Sequence, residues 1–584
     1  MKTAASHRNR GLLFGGIAIL AVIAIAFVAP THGYYLNIMM QAATYAIAVA
    51  GVVIVLGYCG QLALCQAAFL GIGAYCVALG TVDYGLPFFV ALGMGVVLTG
   101  LGGMFLGFAS LRLGGHYLAM VTIGFQMIVT MVLTNWISLT RGPDGVSGVP
   151  RPVIGPLDLS GGSTYLGLCM VFLVVVTLYA ALLKTSRLGR AMQAVRDNEI
   201  AASTCGINVF RTKTVAFGIS AALGGLGGGL FAGAFSYISP DQFTFNESIV
   251  LLTMALLGGV QSPIGALLGT VLLVLLPEWL RFLRQAYLAV YGAAVIAIMI
   301  FLPRGVWGLL TDRFFKPAPA DTSPVTPLPL LSRTGTMSAD VVLDVTGLAK
   351  HFGGLKALDG VDFKVRKGSV HALIGPNGSG KTTMLNVITG LYVATAGRVK
   401  LLGQDITALP PHERTKRGMC RTYQNIRVFR GLSVLENVTI GAERPGNDIS
   451  GSDATVERAL AALDFVGLRN VAHLPVGDLP YGHQRYVEIA RALAGSPEIL
   501  LLDEPAAGLN LTEKGEMAEL LKRLKGHGLT IVIIDHDMKL IEQVADRITV
   551  LNFGRGIADG DPKSVLSHPE VIAAYLGEPQ NEAA

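Results

Sequence analysis

Gly375-Pro376-Asn377-Gly378-Ser379-Gly380-Lys381-Thr382-Thr383 decides how the second half of this chain folds. The stretch is a complete G-x-x-x-x-G-K-[ST] phosphate loop, and the apolar run from Ser369 to Ile374 in front of it supplies the strand such a loop needs. Its glycines let backbone N–H groups wrap phosphate oxygens, while the helix that follows turns its positive end toward them. Lys381 is placed to reach the β- and γ-phosphates and Thr382 to ligate Mg²⁺. Strand, loop and helix in that order predict an α/β phosphate-loop ATPase domain.

Further along, Glu498-Ile499-Leu500-Leu501-Leu502-Asp503-Glu504-Pro505 is an apolar strand ending in two carboxylates. A buried strand that delivers Asp503 beside the nucleotide holds Mg²⁺, directly or through water. Glu504 is then placed to polarise the attacking water as a general base.

Upstream of residue 310 the chain changes character. The 584 residues are 52% hydrophobic and only 14% charged, against about 25% charged in an ordinary soluble domain. Mean hydropathy is +0.56. Residues 1–310 are long apolar stretches, whereas 340–584 are composed like a soluble enzyme, so a membrane part precedes a soluble one. The net charge of +6 is not gathered into a Lys/Arg patch with interleaved aromatics, which argues against nucleic acid. The six cysteines lack zinc-like spacing and read as small buried hydrophobes.

Apolar runs long enough to cross a bilayer lie near 11–29, 36–57, 61–80, 87–109, 116–138, 164–183, 214–236 and 286–303, with a further apolar region at 248–280. The first follows Lys2, Arg8 and Arg10 without a small-residue cleavage site, so it is expected to be an uncleaved span. Lys184, Arg187, Arg190, Arg196, Arg211 and Lys213 mark the cytoplasmic side after the sixth crossing. Parity decides how 248–280 is read. Its middle, Gly258 to Gly265, is a natural breaker, and two short helices there give about ten crossings; a re-entrant pair would give about eight. The glycine-dense stretches Gly71–Ala74 and Gly224–Gly229 are expected to let helix backbones approach closely. The expected domains are a permease over 1–314, a Pro-rich tether over 315–338 and the ATPase over 339–584.

The elements around the two ATPase motifs narrow the family. Leu479-Pro480-Tyr481-Gly482-His483 before a helical run resembles the ABC signature, usually read L-S-G-G-Q. Gln424 matches the family's Q-loop glutamine, Ala507–Asn510 its D-loop, and His536 its switch histidine; Phe352 sits where the family stacks an aromatic ring on adenine. In this order and spacing the set is identified as an ABC ATPase. The resemblance implies that Glu504, His536 and Gln424 are catalytic. It also implies that Gly375, Pro376, Asn377, Gly378, Ser379, Gly380, Lys381, Thr382 and Thr383 bind ATP, and that Thr382, Gln424 and Asp503 hold Mg²⁺. Pro480, Tyr481 and His483 depart from the usual signature, and the serine hydroxyl contact to a partner's phosphate is missing.

Closer still, the His351–Leu358 stretch and the ending Ala574–Glu578 resemble the ATP-binding proteins of branched-chain amino-acid ABC importers. The first half resembles their permease, through Gly57–Gln61, Gly73–Tyr75, Leu111–Ala119 and Arg187–Ala202. The chain looks like a fusion of the two, and the resemblance covers nearly its whole length. It implies ATP-driven import of leucine, isoleucine and valine, or alternatively of other amino acids, urea or short amides. It also implies an inner-membrane location with a cytoplasmic ATPase, and a second, different permease and ATPase. A periplasmic binding protein would deliver substrate, and the Leu188–Ile207 stretch would carry the coupling helix. An exporter or flippase would share the ATPase, but the usual exporter has six spans and long intracellular helical extensions, unlike the short loops here.

Overall fold

The computed structural model describes residues 33–109, 116–154, 157–280, 287–302, 305–314, 340–443 and 452–576. The expected span at 11–29, the tether at 315–338, Leu111–Gly115 and Gly577-Glu578 lie outside the described residues. The chain divides into two compact units, one of residues 1–196 and 210–318, the other of 197–209 and 319–584.

In the first unit, five helices among the described residues are long and apolar enough to cross a membrane: Gly33–Tyr58, Phe88–Ala109, Tyr117–Asn135, Gly162–Thr185 and Val209–Phe235. A shorter apolar helix covers Gln66–Val82. The run expected at 61–80 thus starts late. The preceding helix closes in a π turn over Val53–Tyr58, and Gly60 takes a φ of 70°, which a glycine adopts without steric cost. The N-terminal amides of Gln66–Val82 are capped from other helices: Ala67 N donates to Ser248 Oγ at 3.0 Å and Ala68 N to Gln126 Oε1 at 2.7 Å. A helix start among apolar neighbours is stable only when its free N–H groups find such partners. The two glycine-dense stretches meet each other. A Cβ on Gly73 would come within 2.1 Å of Gly225 O, so only glycine permits that approach.

The 248–280 region is two helices, Phe245–Gly258 and Pro263–Trp279, bent by 120° at the expected break. Ser262 caps the second, its hydroxyl accepting from Gly265 N, with Pro263 in the first turn. Loops and helix ends make two sets of contacts, distinguished by the side of the membrane on which the sequence is expected to place them. In one, Tyr34 Oη donates to Glu278 Oε2 at 2.6 Å, Arg141 pairs with Asp83, and Val146-Ser147 runs antiparallel to Tyr237-Ile238. In the other, Arg196 Nη1 donates to Gly57 O at 2.7 Å, Lys184 Nζ donates to Gln261 O at 2.9 Å, and Gly305 packs against Gly259.

The second unit is built on a six-stranded sheet in the order Met419–Arg421, Ile499–Asp503, Thr530–Ile534, Val370–Ile374, Arg547–Asn552 and Arg555–Gly560. The first five strands are parallel and the last is antiparallel. The three strands Val370–Ile374, Ile499–Asp503 and Thr530–Ile534 are buried throughout, as their unbroken apolar runs require. One core packs the helices around Val434–Ala442, Tyr481–Ala494 and Leu511–Gly526 on this sheet. The other packs Lys381–Ile388 and a four-stranded antiparallel sheet that begins with the Val341–Phe352 and Leu355–Arg366 hairpin. Ends of the parallel strands carry Gly375, Asp503 and His536, as expected for a site at the carboxyl edge of an α/β sheet.

Candidate functional site

The phosphate loop follows the Val370–Ile374 strand and ends in the Lys381–Ile388 helix. Gly380 precedes that helix at a φ of 104°, and a Cβ there would lie 2.6 Å from Ala357 O, so the glycine is obligatory. Lys381 Nζ donates to Gly375 O at 2.8 Å and Pro376 O at 2.9 Å, holding its ammonium in the cradle of the loop. Burial pushes its pKa below the ordinary lysine value, and the nearby charges of Glu504 and Asp503 oppose that shift. Thr382 and Asn377 are exposed at the loop.

Asp503 and Glu504 end the Ile499–Asp503 strand. Glu504 has a φ of 48°, an uncommon conformation for a non-glycine residue, of the kind that clusters at active sites. Its carboxylate is shared: Gln424 Nε2 donates to Oε2 at 2.9 Å, and His536 Nε2 lies 2.7 Å from Oε1. The three residues expected to be catalytic therefore converge on one carboxylate. Asp503 is 2% exposed; its Oδ2 accepts from Arg421 Nη2 at 2.8 Å, while Oδ1 is buried with no hydrogen-bond partner among the described residues. An orphaned carboxylate oxygen beside a phosphate loop fits a divalent cation or its water.

Phe352 ends the Val341–Phe352 strand and is 42% exposed, its ring edge-on to Tyr392 at 5.4 Å. Leu479 is buried and Pro480 is the N-cap of Tyr481–Ala494. Tyr481 and His483 face outward, and Gly508 of the D-loop packs on the Tyr481 ring. Asn510 caps Leu511–Gly526 through a capping box with Glu513.

Several functional neighbours were not singled out from the sequence. Arg421 grips Asp503. Arg485, wholly buried, donates to Tyr423 O and, at 2.7 Å, to Gln424 O, fixing the backbone of the Q-loop. Glu488, 3.4 Å from Arg485 Nη1 and 3.7 Å from Arg491 Nη2, has its pKa raised by burial, with both arginines opposing. Asp535 accepts from Ala506 N at 3.1 Å, tying the end of the strand before His536 to the residue that precedes the D-loop. Their neighbours in the sequence do not mark them out, and only partners in space give them roles.

Residues 197–209 belong to the same unit as this site. Asp197 Oδ2 accepts from Gly431 N at 2.6 Å, and Asn198 Oδ1 accepts from Arg427 Nη1 at 3.1 Å while capping the Glu199–Thr204 helix. Thr204 Oγ1 lies 2.9 Å from Tyr423 Oη, its carbonyl accepts from Thr415 Oγ1 at 3.0 Å, and Asn208 Nδ2 lies 3.2 Å from His412 Nε2.

A phosphate loop, a paired-carboxylate strand end, Q-loop and switch residues on one glutamate, and a signature helix define an ABC transporter cassette, carried here behind a set of apolar helices. Family profiles agree: "Branched-chain amino acid transport system / permease component" matches 34–303, "ABC transporter" matches 358–507, and "Branched-chain amino acid ATP-binding cassette transporter" matches 557–580. The chain belongs to the branched-chain amino-acid ABC transporter family, with permease and ATP-binding parts in one polypeptide. Similar curated proteins include the high-affinity branched-chain amino acid transport ATP-binding protein BraF of Pseudomonas aeruginosa, 42% identical over 250 residues, which span 41% of this chain and 98% of BraF. LivG of Escherichia coli is 41% identical over 251 residues, spanning 41% of this chain and 98% of LivG. Among solved structures, the ADP conformation of MJ1267, an ATP-binding cassette of an ABC transporter, is 37% identical; the match covers 42% of this chain and 100% of that one, with a TM-score of 0.38.

Proposed function

We propose that this chain is the permease and ATPase of a binding-protein-dependent importer of leucine, isoleucine and valine. The observation that carries the reading is the Glu504 carboxylate held between Gln424 and His536, in a chain whose first half matches a branched-chain amino-acid permease. In this reading Glu504 takes the proton of the attacking water, His536 and Gln424 orient its carboxylate, and Lys381 with the loop amides binds the phosphates. Thr382, Gln424 and Asp503 would hold Mg²⁺, a fit supported by the unpartnered Asp503 Oδ1. When bound, Mg²⁺ neutralises charge on the β- and γ-phosphates. Phe352 offers an exposed face to adenine, and Leu479–His483 would complete the ATP site of a partner cassette.

The permease would occupy 1–314, the tether 315–338 and the cassette 339–584. About ten crossings of the inner membrane, with the cassette in the cytoplasm, fit a bilayer count in which 245–258 and 263–279 each traverse. Support comes from the two groups of end contacts. The turn at Gly259–Ser262 joins Gly57, Lys184 and Gly305, all expected at the cytoplasmic end, while Glu278 joins Tyr34, expected at the periplasmic end. A second permease, a second ATPase and a periplasmic binding protein would complete the machine. The test is uptake of labelled leucine, isoleucine, valine and urea by cells carrying the full complex. ATP-dependent uptake of the three amino acids supports the reading; urea uptake without them overturns the substrate.

A further inference from the structure

Arg421 stands between two things that have to communicate. It follows Cys420 at the end of the Met419–Arg421 strand, in parallel register with the Ile499–Asp503 strand, so its side chain reaches the Asp503 carboxylate. The pair is almost fully buried, each side chain 2% exposed, at 2.8 Å. The other arm of the same guanidinium, Nη1, donates to Asn386 Oδ1 at 2.7 Å and Thr389 Oγ1 at 3.1 Å, at the far end of the phosphate-loop helix. One planar fork thus locks the strand-end carboxylate to the helix that carries Lys381 and Thr382.

On its other side Arg421 stacks on Tyr423, with the guanidinium carbon 4.9 Å from the ring centroid. Arg427 stacks on the same ring at 4.8 Å and bonds Asn198. The Tyr423 hydroxyl lies 2.9 Å from Thr204 Oγ1 in a buried contact. Segment 197–209, which the chain inserts between permease helices, is therefore joined to Asp503 through one tyrosine and one arginine, with no gap wider than a packed contact.

We propose that Arg421 is a positioning residue that aims the free oxygen of Asp503 at the divalent cation, and that through Tyr423 and Thr204 the docking of segment 197–209 sets how tightly the site takes Mg²⁺. The proposal rests on the reading of Asp503 as a metal carboxylate. Linkage makes the effect reciprocal: Mg²⁺ with nucleotide then also biases how the segment docks. A charge-balancing role makes the opposite prediction. If Arg421 only neutralised Asp503, removing its positive charge would strengthen the pull on Mg²⁺. Positioning predicts a looser cation.

The test uses the assembled transporter, held from turnover by Glu504→Gln, and a fluorescent ATP analogue titrated with Mg²⁺ and in excess EDTA. Arg421→Gln and Arg421→Lys are both expected to raise the Mg²⁺ concentration for half-saturation about tenfold while leaving affinity in EDTA within about twofold, since lysine keeps the charge but loses the fork. Thr204→Val, which keeps shape and removes the hydroxyl, is expected to shift Mg²⁺ half-saturation about threefold in the Arg421 background and not at all beside Arg421→Gln. Asp503→Asn is the control, and it must abolish the Mg²⁺ dependence. If it does not, the metal reading of Asp503 fails. If it does, but Arg421→Gln tightens Mg²⁺ or the Thr204 and Arg421 effects simply add, the positioning proposal is overturned.

Discussion

Gln424 Nε2 donates to Glu504 Oε2 while His536 occupies the neighbouring oxygen at 2.7 Å. Each partner comes from a different loop, so the direction of the carboxylate depends on both loops being in place. The Glu504 carboxylate is thereby tied to the Q-loop, which also meets segment 197–209 through Tyr423.

Glu504→Gln is expected to bind ATP and to hydrolyse it at least about 100-fold more slowly, the low end for losing a general base. Lys381→Ala should instead weaken nucleotide binding itself, because its ammonium lies in the phosphate cradle. Single-turnover hydrolysis in the assembled transporter separates the two. Wild-type turnover in Glu504→Gln would remove Glu504 from the chemistry.

Uptake should uncouple from hydrolysis when Asp197 and Asn198 are both changed to Ala. These two side chains bond Gly431 N and Arg427, whereas Arg196 donates to Gly57 O and Glu199 is exposed in the next helix turn. At saturating Mg²⁺ the double variant is expected to keep ATP binding and basal hydrolysis while losing most substrate uptake. Charge reversal at Arg196 and Glu199 should do less. Equal uptake in wild type and the Asp197/Asn198 variant would make this stretch a topogenic loop only.

Acid should loosen the cassette through His371. Its ring is 2% exposed, Nε2 lies 2.8 Å from Thr549 Oγ1, and burial pushes its pKa down from 6.5 to about 4. A folded pKa below the unfolded one means the unfolded chain takes the proton first as pH falls. The stabilisation is complete above about 6.5 and is lost progressively toward 4. Between about pH 7 and pH 5 the loss is about 2 kcal/mol. Chemical denaturation at both pH values, in wild type and His371→Gln, reads it. An unchanged pH slope in the variant would exclude His371 as the source.

Impermeant thiol labelling tests the topology. In a cysteine-free background, Asp241→Cys and Trp279→Cys should react from the periplasm, and Gln261→Cys only once the membrane is opened. Asp241 and Trp279 are exposed, and the helix ending at Trp279 closes on Tyr34 through Glu278, while Gln261 sits on Lys184. Periplasmic labelling at Gln261 would invert the bent pair and sink the ten-span reading.

The sequence made legible whatever is carried by unbroken patterns. The three buried parallel strands, the phosphate loop and the break at Gly258–Gly265 all fall where apolar runs, glycines and a proline put them. Residues whose roles come from distant partners were not legible. Arg421 looks like any flanking arginine until the 370–374 and 499–503 strands bring Asn386 and Asp503 to it. Asp197 and Asn198 look like the charged tail of an amphipathic helix, and only the cassette's Gly431 and Arg427 distinguish them from Arg196. Span ends slipped where local chemistry overrode hydropathy. The helix expected to 138 breaks at Trp136, whose backbone leaves the helical conformation, and a single further turn covers Ile137–Thr140.

The chain alone should not make a complete transporter. It supplies one permease and one cassette, and an ABC ATP site needs the signature of a second cassette. Here the signature helix starts after Pro480, which makes no side-chain cap bond and has no hydroxyl to offer a phosphate. Tyr481, 48% exposed, occupies the next position. A homodimer would repeat that feature in both sites, whereas a heteromer can set Lys381 and Glu504 of this chain opposite a partner's serine-containing loop. A charge-assisted hydrogen bond from that serine contributes about 1.5–3 kcal/mol, so the two sites would differ by roughly 10- to 150-fold in nucleotide affinity. The measurement is purification of this chain alone, reconstitution with a branched-chain amino-acid binding protein, and assay of uptake and hydrolysis, then repetition with a second permease and cassette added. Little or no transport is expected in the first case and substrate-stimulated uptake in the second, with two unequal nucleotide sites. Substrate-stimulated uptake by this chain without any second subunit would refute the half-transporter reading.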